Sequence, residues 1–187
     1  MLRLLYAILL GLLGACIVHI AVLFLVPQFS ERDAWSRLAM ESGLYRMTRL
    51  DAEAGTAPVV KSVDPLFYAS SCRFDLTDGP VQLRAQGNVP FWSASVYDRA
   101  GQNIYSFNDH TSTDGTLDFV VLTPTQMLAL RNDLPPAFEK SIFVEAPVEE
   151  GIVVVRSFVP DATWKQAVEG FLSATTCTTA LPVSAEQ

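Results

Sequence analysis

The sequence predicts an α+β fold, mainly antiparallel β, preceded by one N-terminal transmembrane helix. Three observations carry this expectation. Residues 4–26 form an apolar run with no charged side chain. From Phe67 onward apolar and polar residues alternate with the period of two that marks half-buried strands. The strand-like segments follow one another with only two helical stretches, both late, whereas a parallel sheet would show regular strand–helix alternation. About seven strands in a sheet or sandwich, with two helices on one face or end, satisfy all three.

The apolar run comes first. It holds Tyr6, Cys16 and His19 among aliphatic residues, with Gly11 and Gly14. A helix crosses the hydrocarbon core with roughly 20 apolar residues, so the run is long enough. A cleaved signal peptide would need a basic start, an apolar stretch of about 7–15 residues and a small-residue cleavage site. Here only Arg3 and the amino terminus are basic, and the run ends in Pro27-Gln28-Phe29. Leu13-Gly14-Ala15-Cys16 resembles a lipobox, but the chain stays apolar through Ile17–Val26, where a lipid tether should turn polar. A retained span is the expectation. Flanking charge does not orient it by counting alone, since Arg3 stands against Arg32 and Arg37. A very short N-terminal flank and a long following domain fit a signal-anchor. The expected location is therefore the bacterial inner membrane, single-pass, with the C-terminal domain in the periplasm. Within the span, His19 and Gly14 are candidates for contact with a partner membrane helix, because ionisable residues are costly in lipid and small ones allow close approach. A neutral imidazole bonded to its own backbone or to a neighbouring helix is the plainer alternative.

The 161 residues from Pro27 on hold all 20 acidic and 12 of the 13 basic residues, a net charge of −8. That is one ordinary domain with enough chain for a core. An acidic surface without a basic cluster argues against nucleic acid as a partner. The expected division is an anchor at 1–29, a short helix and linker at 30–62, a β-rich domain at 63–177 and a flexible tail at 178–187. Cys16 lies in the span, which leaves Cys72 and Cys177. In an oxidising compartment they are a disulfide candidate; two separate buried thiols are the alternative.

Glu31–Glu41 reads as a short amphipathic helix with Ser30 as its N-cap, placing Trp35, Leu38 and Met40 at the membrane surface or against the domain. Asp51–Ser62 reads as linker. Strands are expected from Phe67 through Leu76, at Val81–Ala85 after the Asp78-Gly79-Pro80 turn, and at Phe91–Tyr97. Asp98-Arg99-Ala100-Gly101 is a hairpin loop, returning through Ile104–Phe107. Asn108–Gly115 is a polar loop and Leu117–Leu122 a core strand. Thr123-Pro124-Thr125-Gln126 carries an N-cap, a first-turn proline and a capping-box glutamine, which predicts a helix to about Asn132. Ile142–Glu145 and Ile152–Val159 are strands around the Glu149-Glu150-Gly151 turn. Asp161 caps a last helix in which Trp164, Val168, Phe171 and Leu172 share one face. A Cys72–Cys177 bridge would then clip that helix to the first strand.

Catalytic apparatus is sparse. The domain has one histidine, His110, and no Gly-x-Ser-x-Gly elbow. His110 and Asp109 are weak acid–base candidates. Asn108, Asp109, His110, Asp114 and Asp118 form an oxygen-rich set that fits no calcium-loop spacing, so no metal is expected there and the residues read as a solvated loop. No cofactor is expected. Phe91, Trp92, Tyr97, Tyr105 and Phe107 crowd two adjacent strands. Trp92, Tyr97, Tyr105 and Asn108 are weak binding candidates, with Trp92 and Tyr105 lining a groove for a small apolar or sugar-like ligand. Core packing is the alternative. Arg73 and Asp75 share a strand face as an exposed ion pair.

Cys72-Arg73-Phe74-Asp75-Leu76, Asp78-Gly79-Pro80-Val81, Phe91-Trp92-Ser93-Ala94-Ser95-Val96-Tyr97-Asp98 with Gly101, and Tyr105-Ser106-Phe107-Asn108-Asp109 resemble the bacterial domain-of-unknown-function family DUF1254. The likeness runs on through Leu122-Thr123-Pro124 and Val154-Val155-Arg156 to Cys177, and is nearest to the family's short, single-span membrane-anchored branch. The Phe-Trp-Ser-x-x-Val-Tyr-Asp stretch is also similar to the sister family DUF1214. The resemblance implies an envelope location and a β-rich fold, and supplies no catalytic residues. Larger members carry two β-rich domains where this chain keeps one. The expected role is a binding or interaction module of the cell envelope, with a membrane or periplasmic protein as possible partner. An enzyme using His110 and Asp109 on an envelope or small-molecule substrate is the rival.

Overall fold

The computed structural model describes residues 2–51, 64–112 and 115–180, with backbone alone over 27–34. Helix α1 runs unbroken from Leu2 to Glu41. The separate helix expected at Glu31–Glu41 is therefore its continuation, and Ser30 lies inside it rather than at a cap. Pro27 does not end it. Proline removes one backbone donor but holds φ near the helical value, and a long helix survives the loss of one bond. Residues 52–63, which hold all of the expected linker but Asp51, lie outside the described residues, as do 181–187 of the tail.

The fold class is α+β with mainly antiparallel sheets. Strands β1 (Thr48–Arg49), β2 (Phe67–Asp75), β8 (Glu150–Phe158), β4 (Trp92–Asp98) and β5 (Asn103–Asn108) form a first sheet in that order. Strands β7 (Ile142–Glu145), β6 (Leu117–Leu122), β3 (Val81–Ala85) and β9 (Thr176–Thr179) form the second. All pairs are antiparallel except β6 with β7. The seven expected strands are present. The additional two, β1 and β9, are short and carry no alternating pattern. Thr178 and Thr179 pair with Gln82 and Val81, so the chain is still in a sheet where a tail was expected.

Period-two alternation decides which side chains meet between the sheets. Cys72, Phe74, Trp92, Ala94, Val96, Val153 and Val155 point inward from the first sheet; Val81, Leu83, Leu117, Phe119 and Val121 answer from the second. The outer face of β6 and β7 builds a smaller cluster, with Val120 and Leu122 under Phe138, Met127 and Leu130. Helix α2 (Pro124–Asn132) lies over it and starts with the expected capping box, Thr123 and Gln126 each bonding the other's backbone N–H. Helix α3 (Lys165–Ala174) buries Val168, Phe171 and Leu172. Trp164 is only half-buried and belongs to the preceding 3-10 turn, which Asp161 caps.

Cys72 and Cys177 form a disulfide with Cα atoms 6.5 Å apart. It does not clip the last helix to the first strand, as expected. Cys177 sits on β9, so the bridge joins the two sheets across their inner faces. Gly151 is required where β8 crosses the phenyl ring of Phe74: a Cβ there would meet that ring and come 2.5 Å from the Tyr97 carbonyl oxygen.

Two stability outcomes follow. Replacing both cysteines by serine frees a loop of 105 residues and should cost about 4–5 kcal/mol, read as a lower urea midpoint than that of oxidised wild type. Gly151→Ala should cost roughly 2–3 kcal/mol by overpacking, with the same readout.

Candidate functional site

The outer face of the first sheet is where α1 meets the domain. Arg73, Ile152 and Tyr97 are register partners on that face. Ile152 is buried although it points away from the core, and Leu38 of α1 is buried as well. Two guanidinium groups lie over the Trp35 ring, Arg73 at 4.9 Å and Arg99 at 5.4 Å from its centroid. Arg73 Nη2 donates to the Ser42 carbonyl at 2.9 Å, and Arg99 forms an ion pair with Glu150. Arg73 is thus not half of an exposed pair with Asp75. It is buried beneath the helix end, its Nε has no hydrogen-bond partner, and desolvation holds its pKa below the ordinary value, opposed by the charge of Glu150. Asp75 instead caps a 3-10 turn, accepting from Thr77 N–H at 2.9 Å. Trp35 and Leu38 contact the domain, while Met40 is exposed.

Beyond the helix the chain folds back onto β2. Tyr45 takes φ +59°, a left-handed conformation uncommon for a bulky residue. Its N–H donates to the Arg73 carbonyl at 2.9 Å. Its hydroxyl lies 2.7 Å from the Asp75 carbonyl and 2.6 Å from Asp78 Oδ2. Burial, followed by the hydrogen bond to Asp78, raises the phenol pKa well above its usual range. Strand β1 then pairs with β2. Asp51 is buried against the Ala69 N–H at 3.1 Å and the Arg49 guanidinium. Burial alone would raise its pKa, but those donors hold it below the usual carboxylate value.

One open cleft borders this frame and another lies on the second sheet. One, of about 630 Å³, lies between the β4–β5 turn, the start of α2 and the start of β8, and is lined by Asp98, Arg99, Thr123, Glu149 and Glu150. The other, of about 460 Å³, lies where β3 ends and β6 begins, beside Arg84, Gln86, Asp118 and Thr176.

The residues singled out from the sequence do not converge on either cleft. Trp92 is buried, its indole N–H donating to the Gly115 carbonyl at 2.8 Å. Phe107 stands between it and Tyr105, with ring centroids 6.0 Å and 5.9 Å away. Of that row only Tyr105, at 46% exposure on the edge strand β5, is open to solvent. Trp92 and Tyr105 therefore line no common groove. Tyr97 is half-buried on the outer face near the helix end. Asn108 caps a 3-10 turn by accepting from His110 N–H at 3.1 Å. The His110 ring is 86% exposed, with Nδ1 3.9 Å from Asp109 Oδ1, too far for the hydrogen bond an acid–base pair uses. That carboxylate oxygen is buried without a hydrogen bond. Asp118 is occupied by Arg84 at 3.1 Å, Gln82 at 3.0 Å and Ser141 at 2.8 Å; Asp114 lies outside the described residues. Among the described residues no group of three or more His, Cys, Asp or Glu could hold a metal ion. His19 and Gly14 lie on the apolar stretch of α1, Leu2–Val26, none of which is buried by the domain.

Residues 44–179 match the profile of a family described as protein of unknown function, DUF1254. The chain belongs to this family. The matched segment begins one residue before Tyr45, so it includes β1 and the domain's side of the joint, Arg73 and Arg99, but not Trp35 or Ser42. No curated protein matches the chain. In fold it is similar to the VPA0106 protein of Vibrio parahaemolyticus, with TM-score 0.59 and 10% identity over 81% of this chain and 35% of that one. An uncharacterised Burkholderia cenocepacia protein is also similar, with TM-score 0.45 and 14% identity over 71% of this chain and 36% of that one. The DUF1254 chain thus spans about a third of the length of these solved structures.

Asp51 yields a pH test. Its folded pKa is depressed, so its contribution is complete above the unfolded value of about 3.9 and is lost as pH falls through the folded value. Asp51→Asn should lower stability by roughly 1–3 kcal/mol at pH 6. The gap between variant and wild type should close as pH is lowered below about 4, measured by urea midpoints across pH.

Proposed function

We propose that this protein is a membrane-anchored envelope module of the short, single-span DUF1254 branch, whose periplasmic domain binds or positions a partner rather than transforming a substrate. The observation that carries the reading is α1. Its first 25 residues, Leu2–Val26, are apolar apart from Arg3 and His19 and are unburied, a length of about 37 Å against a hydrocarbon core of about 30 Å. The same helix continues without a break into contact with the domain. A buried disulfide supports an oxidising compartment. The acidic domain disfavours nucleic acid and anionic surfaces, which leaves a membrane or periplasmic protein as the natural partner.

The experiment is expression of the full chain in a bacterial host. The protein should resist alkaline extraction from inner membranes and keep residues 1–26 by intact mass. Its domain should be digested by protease added to spheroplasts. Cross-linking in native membranes should return a specific partner. A cleaved N-terminus, or a domain protected in spheroplasts, would overturn the reading.

The enzyme reading draws on one feature, the buried and unpaired Asp109 Oδ1 beside His110. His110→Ala should complement a deletion phenotype as well as wild type does; loss of complementation with normal protein levels would restore the enzyme.

A further inference from the structure

The joint between α1 and the domain carries two unfavourable features side by side. Arg73 is 8% exposed, yet its Nε lacks a partner, and an incompletely bonded buried charge is costly. Tyr45, whose N–H is bonded to the Arg73 carbonyl, is held in the left-handed region, where a non-glycine residue is also costly. Tyr45 is held by its own bonds to Arg73, Asp75 and Asp78, whereas the buried Arg73 charge depends on the Trp35 ring beside it. What holds the helix end there is a pair of cation–π contacts, the buried Leu38 and one backbone acceptor, the Ser42 carbonyl. Arg99 is itself an exposed turn residue, tied by Glu150 at the rim of the 630 Å³ cleft. Strain and an incompletely bonded charge gathered at one contact are the kind of cost that clusters at switch regions.

We propose that the Arg73–Trp35–Arg99 cluster is a releasable latch between the anchor helix and the domain. Closed, it fixes the domain's orientation on α1. Open, the domain hangs from the segment around Ser42–Met47. Glu150 is the positioning residue: it aims Arg99 at the indole from the cleft rim, so the cleft and the helix share one side chain. The inference deepens the anchored-module reading by naming how the domain's orientation is set.

The test is a distance distribution by double electron–electron resonance on the full chain in lipid nanodiscs. Spin labels are placed at Leu25→Cys and Lys165→Cys in a Cys16→Ala background, leaving the native disulfide intact. Wild type should give one dominant narrow distance. Trp35→Ala should raise the population at other distances roughly tenfold, the size expected for loss of a desolvated cation–π contact. Glu150→Gln should raise it less, and should act through Arg99: combined with Arg99→Gln it should add nothing to the single change. Met40→Ala, at an exposed position on the same helix, should leave the distribution unchanged. Near-UV circular dichroism from the core Trp92 confirms that each domain is folded. A broad wild-type distribution, a narrow one in Trp35→Ala, or equal broadening by Met40→Ala would overturn the latch. Retention of residues 1–26 is measured separately by mass, so failure of the anchor and failure of the latch give different results.

Discussion

The structure depends on the closure of two separate sheets over one apolar layer. Few of the chain's strand-to-strand connections stay within a sheet; β2, β3 and β4 alternate between the layers, and so do β7, β8 and β9. Each crossing works only if the inner faces already match. The central strand β8 is therefore the least replaceable element. It pairs along its whole length with β2 and over seven residues with β4, and at Gly151 it gives up a side chain so that Phe74 can fit beneath it. The disulfide secures the side of the sandwich where β2 faces the edge strand β9, which lacks the large apolar side chains that pack the centre.

Because the interior is spent on closure, the polar features lie outside it. The outer face of the first sheet takes the end of α1. The outer face of the second takes α2 and, beside it, the Gln82–Asp118–Ser141 group with Arg84. Neither arrangement resembles a preorganised set of acid, base and nucleophile. The Asp109–His110 pair is separated and its imidazole stands in solvent. What distinguishes this domain is how it is mounted: an apolar helix passes directly into a cationic clasp on the sheet.

Much of this was legible from residues. Alternation located the seven longer strands because each presents one side to the core, and Thr123 with Gln126 announced α2 through local hydrogen bonds that need no tertiary partner. Strands β1 and β9 were not legible. Thr48–Arg49 is too short to show a period, and Thr176–Thr179 is uniformly small and polar apart from Cys177, so pairing alone makes them strands. Pro27 read as a stop although one missing donor does not break a long helix. The clasp was hidden for a different reason. Arg73 is a polar position in an alternating strand, which ordinarily faces water. Only a helix arriving from 30 residues upstream buries it. The aromatic pattern on β4 and β5 was visible, but sequence could not distinguish a lining tryptophan from a core tryptophan.

The bridge has a mechanical meaning as well. A load drawn through α1 reaches the sheet at β1 and β2, where Arg73 adjoins Cys72. Peeling can lengthen the chain only between Ser42 and Cys72, some 30 residues or about 100 Å of extended backbone. There the covalent ring stops it, and tension passes through sulfur into β9, so only Phe67–Ser71 of β2 can unzip from β8. The sandwich then behaves as a shackle on a short tether, able to stay folded under a pull that would unravel an uncrosslinked sheet.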